Sequence, residues 1–242
     1  MAKKIIFYLL LIFLSVGSVS LSYSQNTDKI VTKSFPVKND QTVKLDLKFG
    51  DLIKVTGWDK DKIQFKAVIN INNGRLSDAL ILDFDRTNEA FKISSDYNEQ
   101  LIRKGRYDDC PEEYSTYSWN KNGDHIVICS DIKYRIYIPK NADLQIESIS
   151  ADIVLTELRG AIDVKTISGF IDWTRLPKTG AVLSIDTITG QAYTSFDEFE
   201  IKDKESTSWS LSLKGVLNGG GPSVKLETIS GNIYLRKNSN KK

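Results

Sequence analysis

Four segments decide how this chain folds: LQIESISA at residues 144–151, IDVKTISG at 162–169, LSIDTITG at 183–190 and VKLETISG at 224–231. Aligned on their last residues, they lie 18, 21 and 41 positions apart. The last interval is close to two periods, which predicts a disguised unit around Leu211 to Val216. A period of about 20 residues with two short strands per unit is the pattern of a β-solenoid, in which each unit buries its apolar side by stacking on its neighbours. Within a unit, Leu144 and Ile146 share even parity, whereas Ile149, Ile153 and Leu155 are odd. Successive side chains of a strand point to opposite faces, so a corner is expected between Ile146 and Ile149. The ladder Ile149, Ile167, Ile188 and Ile229 is then expected to fill one corner of the core. Ser148, Thr166, Thr187 and Thr228 are placed to hydrogen-bond along the stack. Gly169, Gly190 and Gly231 fall at equivalent turns, where positive φ or close backbone approach favours glycine; Ala151 departs from this in the first unit.

Five coils at about 4.8 Å each make a stack only about 20–25 Å tall, whose ends need cover. The residues before the repeats read as strands and almost no helix. Val43, Leu45 and Leu47 alternate with Lys44, Asp46 and Lys48; Ile53 and Val55 follow a Gly50-Asp51 break; Ile63, Phe65 and Ala67 continue after the turn Asp59 to Asp61. Asn73-Gly74 marks a turn. Leu80, Leu82 and Phe84 with Phe91 and Ile93 predict a hairpin closed through Thr87 to Glu89. Ile132, Tyr134, Ile136 and Ile138 form a strand stopped by Pro139. The expected architecture is therefore all-β: a short β-solenoid of about 20 residues per coil, capped by an N-terminal group of antiparallel strands. At the far end Arg236, Lys237, Lys241 and Lys242 blunt the exposed edge. In domain terms this divides into a β-strand region at 25–140 with an inserted loop at 103–124, solenoid repeats at 141–235 and a basic tail at 236–242.

The first 24 residues read as a signal peptide: Lys3 and Lys4, then an apolar run Ile5 to Leu14, then Ser22 and Ser24 at the −3 and −1 positions of a cleavage site before Gln25. The alternative is a retained anchor, since Ile5 to Leu21 is mostly apolar. No later apolar run reaches spanning length. Export makes the protein periplasmic, outer-membrane-associated or extracellular. The chain holds 33 basic and 31 acidic residues, and the leader's two lysines leave 31 against 31 from Gln25 onward. That balance gives no global reason to expect nucleic acid as a partner. With one His and two Cys, a His-rich metal centre or a four-cysteine zinc site is excluded, and no cofactor is expected. In an oxidising compartment Cys110 and Cys129 form a disulfide, closing a loop worth about 3 kcal/mol in the chain-entropy model. The alternative is two free thiols, with Cys129 a small hydrophobe in the run Ile126 to Ile128.

The runs TISGFIDW, TITGQAYT and TISGNIYL, preceded by LDLKFGDLIKVTGWDKDKI, resemble the bacterial putative-adhesin family of β-strand-repeat proteins. The resemblance spans most of Val31 to Leu235, with Gly50-Asp51 and Gly57-Trp58-Asp59 in the family's opening turns. It implies a β-repeat architecture and an adhesin-like role, and it brings no catalytic residues. The loop Arg103 to Asp124 and the run Gly219 to Pro222 depart from a plain repeat.

Motifs of chemistry are few. The nucleophile elbow, the phosphate-binding loop and the zinc-protease motif are all absent from the sequence. His125 has no nucleophile nearby in sequence to serve. Asp108, Asp109, Glu112 and Glu113 match no calcium loop and read as a solvated acidic loop. Gly219 to Gly221 lack the strand-to-helix context of a phosphate cradle. Glu147, Lys165, Asp186 and Glu227 give no unbroken acidic row, which speaks against a solenoid carbohydrate-active enzyme. Tyr107, Tyr114, Tyr117 and Trp119 interleave with acids in the inserted loop, where they either bind a glycan or an envelope protein or fold back as a lid. The function expected is a non-enzymatic, exported envelope or surface protein. A glycan- or peptide-binding module is the alternative.

Overall fold

The computed structural model describes residues 28–38, 41–110, 116–121, 124–176 and 178–238. The leader and its cleavage site, Tyr114, Glu112, Glu113, Lys241 and Lys242 lie outside them. The described chain is all-β and builds one large mixed sheet. Among the described residues the one α-helical turn is Glu99–Ile102, and no helix is long and apolar enough to cross a membrane.

The repeats form two-legged units. They are β9 (Leu144–Thr156); β10 (Ile162–Ser168) with β11 (Ile171–Arg175); β12 (Ala181–Thr189) with β13 (Ala192–Thr194); and β16 (Ser223–Ser230) with β17 (Ile233–Lys237). The first legs lie parallel in the order β9, β10, β16, β12, with Leu144, Ile162, Val224 and Leu183 in register. The second legs repeat that order, with Ile153, Ile171, Ile233 and Ala192 in register. The fourth repeat in sequence is thus third in space, inserted between the second and third. The first legs present similar apolar residues to either neighbour, while the ion pairs Lys165–Glu227 and Arg236–Asp172 join the second repeat to the fourth and need the observed order.

Leu211 to Val216 is not a disguised coil. It belongs to β15 (Leu211–Leu217), which runs antiparallel to β12, and β14 (Phe199–Ser206) runs antiparallel to β15. The hairpin turn at Thr207 to Ser210 reverses the chain, so apolar alternation survives while the direction does not. The N-terminal strands also differ from the expected antiparallel cap. β2 (Thr42–Leu47) and β3 (Phe49–Trp58) form one more two-legged unit, parallel to the two legs of β9. The cause is their pattern: Val43 and Leu45, then Ile53 and Val55, point inward as Leu144 and Ile146, then Ile153 and Leu155, do. β6 (Ala90–Tyr97) continues parallel to β2, and β8 (Asp124–Pro139) parallel to β3. Antiparallel strands come beyond these: β5 (Leu80–Arg86) on β6, β4 (Lys62–Ile71) on β8, and β1 (Lys29–Pro36) on β4. β7 (Thr116–Lys121) pairs with the opening of β8. The hairpin through Thr87 to Glu89 is as expected, and Asn72 to Gly74 form the expected turn with φ of 48°, 56° and 85°.

At the corner the expected parity is reversed. Ile149, Ile167, Ile188 and Ile229 are 42%, 49%, 53% and 46% exposed, whereas Ser148, Thr166, Thr187 and Thr228 are buried. Inward parity persists through Ser148, and Ile149 and Ser150 together make the bend before Ala151 and Ile153 turn inward again. A bend leaves carbonyls without a ladder partner, and a buried carbonyl must be paired. The hydroxyls do this: Ser148 donates to the Leu47 carbonyl at 2.8 Å, Thr228 to that of Gly169 at 3.3 Å and Thr187 to that of Gly231 at 3.1 Å, each on a neighbouring coil. Thr166 donates to Ser168 in its own coil at 2.9 Å. An isoleucine in that place would leave these oxygens orphaned.

The equivalent glycines follow the same geometry. A methyl group on Gly190 would lie 1.9 Å from the Gly231 carbonyl oxygen, so close backbone approach, not positive φ, requires glycine there. Ala151 keeps its methyl where β3 meets β9 through a register shift between Phe49 and Leu52. Two substitutions separate the corner's inside from its outside. Gly190→Val should lower stability by about 1–3 kcal/mol through overpacking. Ile229→Ser should change it by less than about 0.5 kcal/mol, as a surface replacement. Chemical denaturation of the two variants checks both; a large loss for Ile229→Ser would return the isoleucines to the core.

Candidate functional site

The outward isoleucines line a groove of about 660 Å³ along the corner of the stack. In spatial order the ladder is Ile149, Ile167, Ile229, Ile188, at about 4.8 Å per step; the last three border the groove. Beside them runs the row Glu147, Lys165, Glu227, Asp186, set by parallel register between β9, β10, β16 and β12. The β14–β15 hairpin forms the opposite wall with Glu205, Thr207, Ser210, Leu211 and Ser212. Its turn is tied by Thr207, whose hydroxyl oxygen accepts from the Trp209 and Ser210 amides at 3.2 and 3.0 Å. Trp209 projects from the tip, 76% exposed.

Stack order changes the electrostatics of this row. Asp186 and Glu227 are direct neighbours, with no disguised unit between them, and Glu227 rather than Asp186 adjoins Lys165. Neither is free. Asp186 accepts from Ser212 at 2.6 Å and from Ser184 at 3.3 Å, and Glu227 pairs with Lys225 at 2.6 Å and Lys165 at 3.5 Å. Glu147 and Glu205 have no ion-pair partner among the described residues, so the rim carries uncompensated negative charge beside apolar side chains. Asp186 and Glu227 are therefore both engaged within the wall of the groove. The sequence carried one signal of it, the repeated Ile beside each Ser or Thr. Assigning the isoleucines inward hid that signal.

The sequence-nominated aromatics are only partly placed. Tyr107 is 73% exposed. Tyr117 and Trp119 lie on β7 opposite Ile128 and Ile126. His125 lies on β8 opposite Asn120. Cys110 and Cys129 are joined, with Cα atoms 5.6 Å apart, and pin the segment after Tyr107 to β8. Asp109 is an anchor, not a solvated loop acid. It accepts from Arg75 Nε at 2.8 Å, the Arg106 amide at 2.9 Å and Asn72 Nδ2 at 3.4 Å, and pairs with Arg75 Nη2. The hydrogen bond from Arg75 is the main cause holding its carboxyl below the usual carboxylate range. Gly219, Gly220 and Gly221 have positive φ and serve the turn between β15 and β16.

No protein-family model matches this chain, and no curated protein matches it. Among solved structures it is similar to a putative cell adhesion protein from Clostridium sporogenes ATCC 15579, at 10% identity over 87% of this chain and 100% of that one, with a TM-score of 0.49. It is also similar to a putative adhesin from Bacteroides fragilis NCTC 9343, at 13% identity over 86% and 97% of the two chains, TM-score 0.23. A putative adhesin from Parabacteroides merdae ATCC 43184 gives 8% identity over 86% and 97%, TM-score 0.22. Likenesses this distant assign no function.

The disulfide and Asp109 act on one segment. Cys129→Ser should cost up to about 3 kcal/mol, measured by denaturant unfolding under non-reducing conditions. A carboxyl whose folded pKa is depressed stabilises above its unfolded value and loses that contribution as pH falls through the folded one. The contribution of Asp109 is therefore intact at neutral pH and fades below about pH 4. Protection factors of the 103–110 amides, taken against the intrinsic exchange rate at each pH, should fall in that range, and they should fall in Asp109→Asn at neutral pH.

Proposed function

We propose that this chain is an exported, non-enzymatic, adhesin-like protein of the cell envelope or surface, whose stacked coils form a short β-solenoid presenting a binding groove. On this reading residues 1–24 direct export, 25–140 extend the stack, and 141–235 carry the groove. The observation that carries it is the ladder of outward isoleucines: a contiguous exposed apolar patch marks an interaction site. Glu147 and Glu205 on the rim select the occupant, a partner protein's extended segment that alternates apolar and basic side chains. The arrangement supports binding over catalysis because Asp186 and Glu227 are engaged by serines and lysines. A second reading, a glycan or peptide contact through Tyr107, Tyr114, Tyr117 and Trp119, is favoured by the exposure of Tyr107 beside the disulfide.

A synthetic peptide of alternating Lys and Val should bind the protein, and one of alternating Glu and Val should not. Ile188→Asn with Ile229→Asn should weaken the first by about tenfold or more, as truncation of central apolar anchors does, with an unchanged thermal midpoint. Equal binding by the double variant would remove the groove from the function. Protease shaving of intact cells tests surface location: loss of the protein places it outside, and full protection places it in the periplasm.

A further inference from the structure

The outer face of the N-terminal strands holds three cations in direct register. Arg135 on β8 is opposite Lys54 on β3 and opposite Lys66 on β4. All three alternate with buried neighbours: Ile53 and Val55, Tyr134 and Ile136, Phe65 and Ala67. Their side chains therefore share the solvent face, with strands about 4.8 Å apart. The row continues into Val154 on one side and Thr32 on the other, so no carboxylate stands opposite any of the three. None has an ion-pair partner among the described residues, while Lys133, two positions along β8, is paired with Asp131 at 2.7 Å. Like charges directly opposite across strands destabilise a sheet. Three in succession, left uncompensated in a chain whose mature charge sums to zero, oppose the fold's own stability.

The next row on the same face is Gln64, Tyr137, Thr56 and Thr156. Tyr137 is partly exposed and stacks on Trp58 with ring centroids 5.3 Å apart. Trp58 is itself held by its indole N–H, which donates to the Lys62 carbonyl at 2.8 Å, and by Lys60, whose Nζ lies 4.9 Å from the ring. A fixed aromatic ring, an amide and two threonine hydroxyls that share one hydrogen bond at 3.1 Å thus lie one row from three cations without ion-pair partners, all on one face.

We propose that this face binds an acidic polysaccharide, the cations meeting its anionic groups and the Tyr137 row meeting its sugar rings and hydroxyls. An anionic membrane would call for protruding apolar side chains beside the cations, and single-stranded nucleic acid for successive exposed rings; here the exposed ring is Tyr137, and the partly buried Trp58 is stacked against it rather than set apart to take a second base. The site is separate from the isoleucine groove, and its failure would leave the groove untouched.

The test uses the full mature chain and four probes at low salt: polygalacturonate, unsubstituted dextran, inorganic polyphosphate, and vesicles of phosphatidylglycerol. Polygalacturonate should bind and dextran should not. The triple variant Lys54→Gln, Lys66→Gln, Arg135→Gln should weaken polygalacturonate binding by about tenfold or more, the scale of losing charge-assisted contacts. A control removing three other exposed charges, Lys44→Gln, Lys204→Gln and Lys214→Gln, should stay within about twofold if the effect is local and not one of net charge. Tyr137→Ala should weaken polygalacturonate and leave polyphosphate unchanged. The triple variant's thermal midpoint should not fall, since it removes repulsion, so lost binding would not reflect lost folding. The proposal is overturned if wild type ignores polygalacturonate, if triple and control variants lose binding equally, if Tyr137→Ala has no effect, or if vesicles or polyphosphate bind more tightly than polygalacturonate.

Discussion

The corner hydroxyls hold the stack together. Each repeat must bend, and the bend frees carbonyls that no ladder can pair. Ser148, Thr187 and Thr228 satisfy the corner carbonyls of adjacent coils, so the bond that closes one coil's bend also clamps it to the next. The approach is close enough to exclude a side chain at Gly190 and to bring Gly231 against the Gly169 carbonyl, 2.1 Å from where a methyl would sit. At the three steps these hydroxyls bridge, the spacing between units is set at the corner as well as along the strands; between β9 and β10, where Thr166 bonds within its own unit, it is set by the strand ladder and the close approach of Gly169 to the Ala151 carbonyl.

The same corner places isoleucine outside. With the hydroxyl turned inward, the following residue has to face solvent, and four repeats turn that local rule into an apolar ladder. The β14–β15 hairpin makes the ladder into a groove. β14 is exposed on nearly all its length, its outer edge carries Lys202 and Lys204, and it has a bulge between Ile201 and Asp203. Charged side chains and a bulge discourage further strand pairing. The hairpin therefore ends the stack at β12 while leaving the face beside it open. Elsewhere in the sheet the antiparallel strands β4 and β1 lie beyond β8, and register places Arg135 between Lys66 and Lys54.

Much was legible from the chain. The all-β class, the strand pairs of each repeat, the Thr87 to Glu89 hairpin and the turn at Asn73-Gly74 follow from alternation and turn chemistry, and the Cys110–Cys129 pairing is the one expected of two cysteines in an exported chain. The groove was only half legible. Its isoleucines stood out as a ladder, but parity cannot say at which residue a strand bends, and the two choices differ in which of two neighbours is buried. The three cations abreast on β3, β8 and β4 were invisible, because cross-strand neighbours that lie outside a repeat leave no mark on one sequence; the repeat alignment had put Asp186 and Glu227 in one row but expected a further unit between them.

What the sequence determined by itself is the unit: a strand, a hydroxyl-bearing bend, a close glycine approach and a second strand, each imposed by local physics. Only the tertiary structure decided the order of the units. VKLETISG and IDVKTISG present the same inward leucine, isoleucine or valine and the same threonine to whatever lies above and below. Those inward contacts do not by themselves fix which repeat adjoins which, whereas the ion pairs Lys165–Glu227 and Arg236–Asp172 form only in the observed order. The connections agree with that order: the β14–β15 hairpin runs out and back beside β12, and the fourth repeat then runs parallel between the second and third.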